Sequence, residues 1–70
     1  MKYLVIYEQG PESWGAYVPD LPGCAVVAES EAEARRLIRE AIALHIEGLR
    51  SGGEAVPPPT SHGEVLDIAG

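Results

Sequence analysis

Apolar positions along the chain change their period once, and the change separates a β-rich front from a helical middle. Residues 2–8, "KYLVIYE", are short and rich in β-branched and aromatic side chains, and the turn-forming "QGPES" follows them. That pattern predicts a strand. Tyr3, Val5 and Tyr7 fall on one face and Leu4 and Ile6 on the other, so both faces want cover. A second strand is predicted from Trp14 to about Val18, with Trp14, Ala16 and Val18 on one face and Gly15 and Tyr17 on the other. The short connection between the two predicts an antiparallel hairpin. Ala16, set between larger residues, leaves room for a helix to press on that face. A third strand is expected over residues 24–29, "CAVVAE".

The period then lengthens. Ser30 can cap a helix and Glu33, three positions on, can reach back to complete a capping box. Ala34, Ile38, Ala41, Ile42, His45 and Leu49 recur at three- and four-residue steps, flanked by Leu37, while Arg36, Arg39, Glu40 and Glu47 lie opposite. An amphipathic helix from residue 31 to 49 or 50 follows, stopped by Gly52 or Gly53. "SGGEAVPPPTSHG" is a connector, in which three successive prolines favour an extended spacer over a ligand for a proline-recognition domain. "EVLDIA", residues 64–69, reads as a fourth strand. The expected order is β-β-β-α-β: an α+β fold with a small, mostly antiparallel sheet and one helix packed on one face. The helix returns the chain so that the fourth strand can run parallel to the first. One helix cannot cover both faces of such a sheet, and an uncovered apolar face marks an interaction surface. Self-association to a dimer or tetramer is therefore expected.

Size sharpens that expectation. A single domain of 70 residues buries only about 60% of its unfolded surface and is marginal alone. One cysteine supplies no internal disulfide, and no Cys/His cluster has zinc-finger spacing. With neither staple present, a second copy is the natural support. The formal net charge is −6, which repels phosphate backbones and suits a basic protein partner better than nucleic acid or an anionic membrane. Four of the five basic residues, Arg35, Arg36, Arg39 and Arg50, lie in or beside the helix among glutamates, as in a salt-bridged solvent face. The first apolar run stops at Glu8, too short for a signal peptide or a membrane span. A cytoplasmic location is the expectation.

The stretch with the most suggestive chemistry is "PDLPGC", residues 19–24. Pro19 and Pro22 fix φ and remove two backbone donors, Gly23 admits conformations other residues avoid, and Asp20 can accept from nearby amides. Each of these residues has a turn-building reason to be there, with Leu21 between them. A catalytic Cys24 would need a base or a cation to lower its pKa, and the sequence places none beside it. Cys24, His45 and His62, with Asp20, lack the spacing of paired metal ligands, and His45 falls within the helix's apolar stripe. Glu8, Asp20, Glu64 and Asp67 show no pattern that makes them converge as metal-binding or acid–base carboxylates. A rigid structural corner is the reading, with no catalytic residue, metal or cofactor. Tyr3, Tyr7, Trp14 and Tyr17 are the candidates for an interface, because buried aromatics dominate interface energetics.

Taken together, "WGAYVPDLPGC" and "SEAEARRLIREAIALHIEGLRSGGEAVPPP" resemble the HicB-like antitoxin family, over about residues 3–58. Pro19, Asp20, Leu21, Pro22, Gly23 and Cys24 match its corner, Ser30 and Glu33 its helix start, Ala41 and Ile42 its helix core, and Gly53 and Pro57 its exit. The resemblance implies a partial RNase H-like fold without that fold's nuclease carboxylates. It also implies a partner, a HicA-like toxin: a small basic protein of double-stranded-RNA-binding fold that cleaves mRNA with a histidine. Many members continue into a helix-turn-helix or ribbon-helix-helix domain, for which residues 1–70 have no room, so direct DNA binding is not expected. The function expected is neutralisation of such a toxin by occlusion of its active site. The alternative is a solitary homo-oligomeric binding module with no toxin.

Overall fold

The computed structural model describes residues 1–70. Three strands are followed by one helix: β1 is Ile6–Gln9, β2 Trp14–Tyr17, β3 Ala25–Ala28 and α1 Glu31–Ser51. The sheet is a meander in the order β1-β2-β3, with both pairs antiparallel. This is the expected α+β arrangement, reduced by one strand.

Register determines the faces. Tyr7, Ala16 and Val26 lie in one cross-strand row and Gln9, Trp14 and Ala28 in another, on the side that α1 covers. Ile6, Tyr17 and Ala25 form a row on the opposite side, and Glu8, Gly15 and Val27 the next. The core comprises Ala16, Val18, Leu21, Cys24, Ala28, Ala34 and Ile38. Alanines at 16 and 28 on the sheet and 34 on the helix let the two layers approach closely. Ile38 then fills the middle of the contact, and α1 lies over β2 and β3 more than over β1.

The ends of α1 follow from its sequence. Ser30 Oγ accepts from the Glu33 amide at 3.1 Å, satisfying one of the orphan donors of the first turn. At the other end the Glu54 amide donates to the Leu49 carbonyl and the Gly53 amide to the Arg50 carbonyl, a Schellman closure. That closure requires a left-handed residue, and Gly53 supplies it at φ +74°. On the solvent face, Arg35 pairs with Glu31 and Arg36 with Glu40 one turn apart. Both pairs are well exposed and each contributes only a few tenths of a kcal/mol, roughly 0.3–0.5.

Two sequence expectations change. The first strand, expected over residues 2–8, begins only at Ile6, because residues 2–5 have no strand beside them. The fourth, expected over residues 64–69, is not formed. A strand exists through its pairing, and within the chain nothing lies alongside this segment: Val65 is 100% exposed and Ile68 79%. The apolar pattern there is real, but it has no surface of its own chain to cover.

Candidate functional site

The fold encloses no ligand-sized pocket, and no three of its His, Cys, Asp and Glu side chains come together as a metal site. Its chemistry lies on the surface, in the corner and on the sheet.

The corner between β2 and β3 is closed by three backbone bonds. Val18 donates to Cys24 at 3.1 Å, Leu21 to Val18 at 3.1 Å and Cys24 to Leu21 at 3.0 Å. Gly23 turns the chain at φ +85°, a left-handed conformation that disfavours any residue with a Cβ. Pro19 and Pro22 face solvent, whereas Leu21 is completely buried and Cys24 nearly so. The corner thus drives one leucine into the core. Burial pushes the Cys24 thiol up, away from the thiolate that nucleophilic chemistry requires.

Asp20 does something its neighbours in sequence do not reveal. Its carboxylate accepts from the amides of Ser61 at 2.8 Å and Thr60 at 2.9 Å, and from the hydroxyls of Ser61 at 2.8 Å and Thr60 at 3.2 Å. The partners come from the far connector and not from the turn itself. The Tyr3 hydroxyl donates to the Pro57 carbonyl, and Gly63 lies against the Leu4 side chain. Residues 57–63 therefore form a strap, tied to the corner at one point and to the start of the chain at another. No local signal marks Thr60 and Ser61 for this role, since serine and threonine in a proline-rich connector read as generic loop.

The Ser61 amide bond, with the other three, holds the Asp20 carboxyl below the ordinary carboxylate range. A lowered folded pKa gives a contribution that is complete above the unfolded value, about 3.9, and lost as pH falls through the lower folded one. Acidification below the ordinary carboxylate range is thus expected to release the strap. The Thr60 and Ser61 amide resonances should then shift together and exchange faster with solvent. In Asp20→Ala they should look released at every pH. Amides as protected in Asp20→Ala as in the wild-type chain would mean that the carboxylate does not hold the strap.

The four candidate interface aromatics do not form one patch. Tyr7 and Trp14 are on the helix side, where the Arg35 guanidinium stacks 5.1 Å from the Tyr7 ring centroid. Tyr3 is half-buried under the strap. Tyr17 alone is on the uncovered side, 37% exposed, with Val27 at 73% beside it and Ile6 and Ala25 in the same rows. A sheet face of this composition, open to solvent, has the makings of a protein contact.

Comparison with known proteins agrees with this geometry. The family profile described as the HicB-like antitoxin of bacterial toxin–antitoxin systems matches residues 3–68, nearly the whole chain. The chain belongs to the HicB-like antitoxin family. Among solved structures, it resembles a chain of the "HicA3 and HicB3 toxin-antitoxin complex" with a TM-score of 0.72 at 32% identity, covering 84% of this chain and 70% of that one. The UPF0150 protein Ta0767 of Thermoplasma acidophilum is 38% identical over 58 residues, 81% of this chain and 84% of that protein. An "uncharacterized 14.9 kDa protein in rep-hol intergenic region" of Haemophilus phage HP1 is 35% identical over 57 residues. That alignment spans 81% of this HicB-like chain but only 43% of the phage protein.

Proposed function

We propose that this HicB-like chain neutralises a small, basic HicA-like mRNA-cleaving toxin by covering its active site. The observation that carries the reading is the match to the antitoxin family over residues 3–68 together with likeness to a chain of a solved toxin–antitoxin complex. The role is non-enzymatic: the three strands and helix serve as the binding half of a partial RNase H-like fold without nuclease carboxylates. The net charge of −6 attracts a basic RNA-binding surface and speeds encounter, while the Tyr17–Val27 side of the sheet supplies the desolvated contact. Such a toxin acts on mRNA, so the complex forms in the cytoplasm, and the acidic chain has no part in direct DNA binding.

The exposed apolar residues of the 64–69 segment favour a further element, self-association to a dimer or tetramer. Taken alone it would describe a solitary homo-oligomeric module. The two readings separate on RNA cleavage by a purified HicA-like partner: an antitoxin stops it, and a solitary module leaves it unchanged.

A further inference from the structure

Two stretches that read as strands in the sequence lack a strand partner in the folded chain. Residues 2–5 are the front of the first predicted strand, and residues 64–69 are the whole of the fourth. Neither takes part in a backbone–backbone hydrogen bond. Their amides and carbonyls are obligatory bonding groups, and an unpaired row of them beside apolar side chains is a template for another strand.

The two stretches are complementary. β1 is an edge of the sheet, and none of the five apolar side chains from Tyr3 to Tyr7 is fully buried. The run is apolar on both faces and α1 leans away from it, so the edge asks for cover. Residues 64–69 offer it. The strap carries the chain as far as Gly63, against Leu4, and every residue from 64 to 70 is exposed. Val65 is 100% exposed, Leu66 64% and Ile68 79%. Leu66 and Ile68 share one face of the extended segment, the arrangement of a strand with one side to bury. The radius of gyration, 13.8 Å, records how far this arm projects, since a compact chain of the same length has about 11 Å.

We propose that residues 64–69 of one copy pair with the first-strand edge of a second copy, along residues 2–7, and that the second copy returns its own arm in the same way. The exchange is two-fold and closed: each copy donates one arm and receives one, so the pairing stops at two copies. A parallel run, the direction expected for the fourth strand, sets Glu64 beside Lys2, the one basic residue ahead of the helix. Opposite charges there fix which end of the arm meets which end of the edge. Each sheet gains its missing strand, and residues 2–5 gain the partner whose absence shortens β1.

This inference rests on the self-association element of the proposed function and is independent of the toxin. Sedimentation of the full chain is expected to give twice the single-chain mass of 7.4 kDa. In mixed samples of isotope-labelled and unlabelled copies, the Leu66 and Ile68 methyl groups should show NOEs to Tyr3–Tyr7 of the other copy. The double variant Leu66→Asp, Ile68→Asp alters side chains already exposed in the single chain. It should keep its far-UV circular dichroism, run at the single-chain mass and raise the dissociation constant roughly a hundredfold or more. A monomeric wild-type chain would overturn exchange and self-association together. A dimer that survives the double substitution, or whose arm shows NOEs only within its own copy, would overturn the exchange and leave self-association standing.

Discussion

Leu21→Ala is expected to cost about 2–5 kcal/mol, enough to leave much of the chain unfolded at room temperature. Leu21 is the one completely buried leucine in a core of seven buried residues. The cost falls toward the upper end where a site cannot collapse around the missing atoms, and this one is pinned. Three backbone bonds close the corner, Pro19 and Pro22 restrict φ on either side, and the Asp20 carboxylate is engaged with the strap. A single hydrophobic core in a domain of this size rarely supplies more than about 3–5 kcal/mol. The loss is therefore comparable with the whole stability. Urea titration followed by circular dichroism measures it, with Leu44→Ala, 68% exposed on the helix, as the control that should shift by no more than about 0.5 kcal/mol. A Leu21→Ala chain as stable as that control would show that the corner is not what anchors the core.

The second large effect falls on binding. If the Tyr17–Val27 side of the sheet contacts the toxin, Val27→Arg places a charge in the desolvated centre of the contact and turns it against a basic partner. A central substitution of this kind costs about 2 kcal/mol or more, roughly a thirtyfold rise in the dissociation constant. Because Val27 is 73% exposed in the free chain, its folding stability should change by no more than about 0.5 kcal/mol. Tyr17→Ala should weaken binding in the same direction. Leu44→Arg, on the helix and away from this face, should leave it unchanged. Titration calorimetry with the HicA-like partner distinguishes the three. Equal affinities for Val27→Arg and Leu44→Arg would move the toxin contact off the outer sheet face.

Much of this was legible in the sequence, for reasons that differ along the chain. The helix was readable because its apolar period, its Ser30 cap and its glycine stop all agree, and it runs Glu31–Ser51 where 31 to 49 or 50 was expected. β2 and β3 followed from short β-rich runs bounded by turn residues. The resemblance carried by "PDLPGC" and the helix register pointed to the family that the comparisons show. What the pattern could not convey is the partner of each apolar side chain. Residues 2–5 and 64–69 have strand composition, yet the isolated chain gives them nothing to pair with. Nor could spacing reveal that Asp20 reaches 40 and 41 residues along the chain to Thr60 and Ser61, because hydrogen-bond partners brought together by folding leave no periodicity. Alternation alone separates Tyr17 from Trp14 within the second strand, and the register adds that Tyr7 lies on Trp14's side of the sheet.

The most direct test of the central claim is a titration of RNA cleavage. A purified HicA-like toxin cleaves a defined mRNA, and the folded chain is added from below to above equimolar amounts. The account predicts that cleavage falls in proportion to the chain added and stops at a fixed stoichiometry, with association slowing as salt screens the acidic surface. Cleavage that continues undiminished in a large excess of folded chain would contradict it.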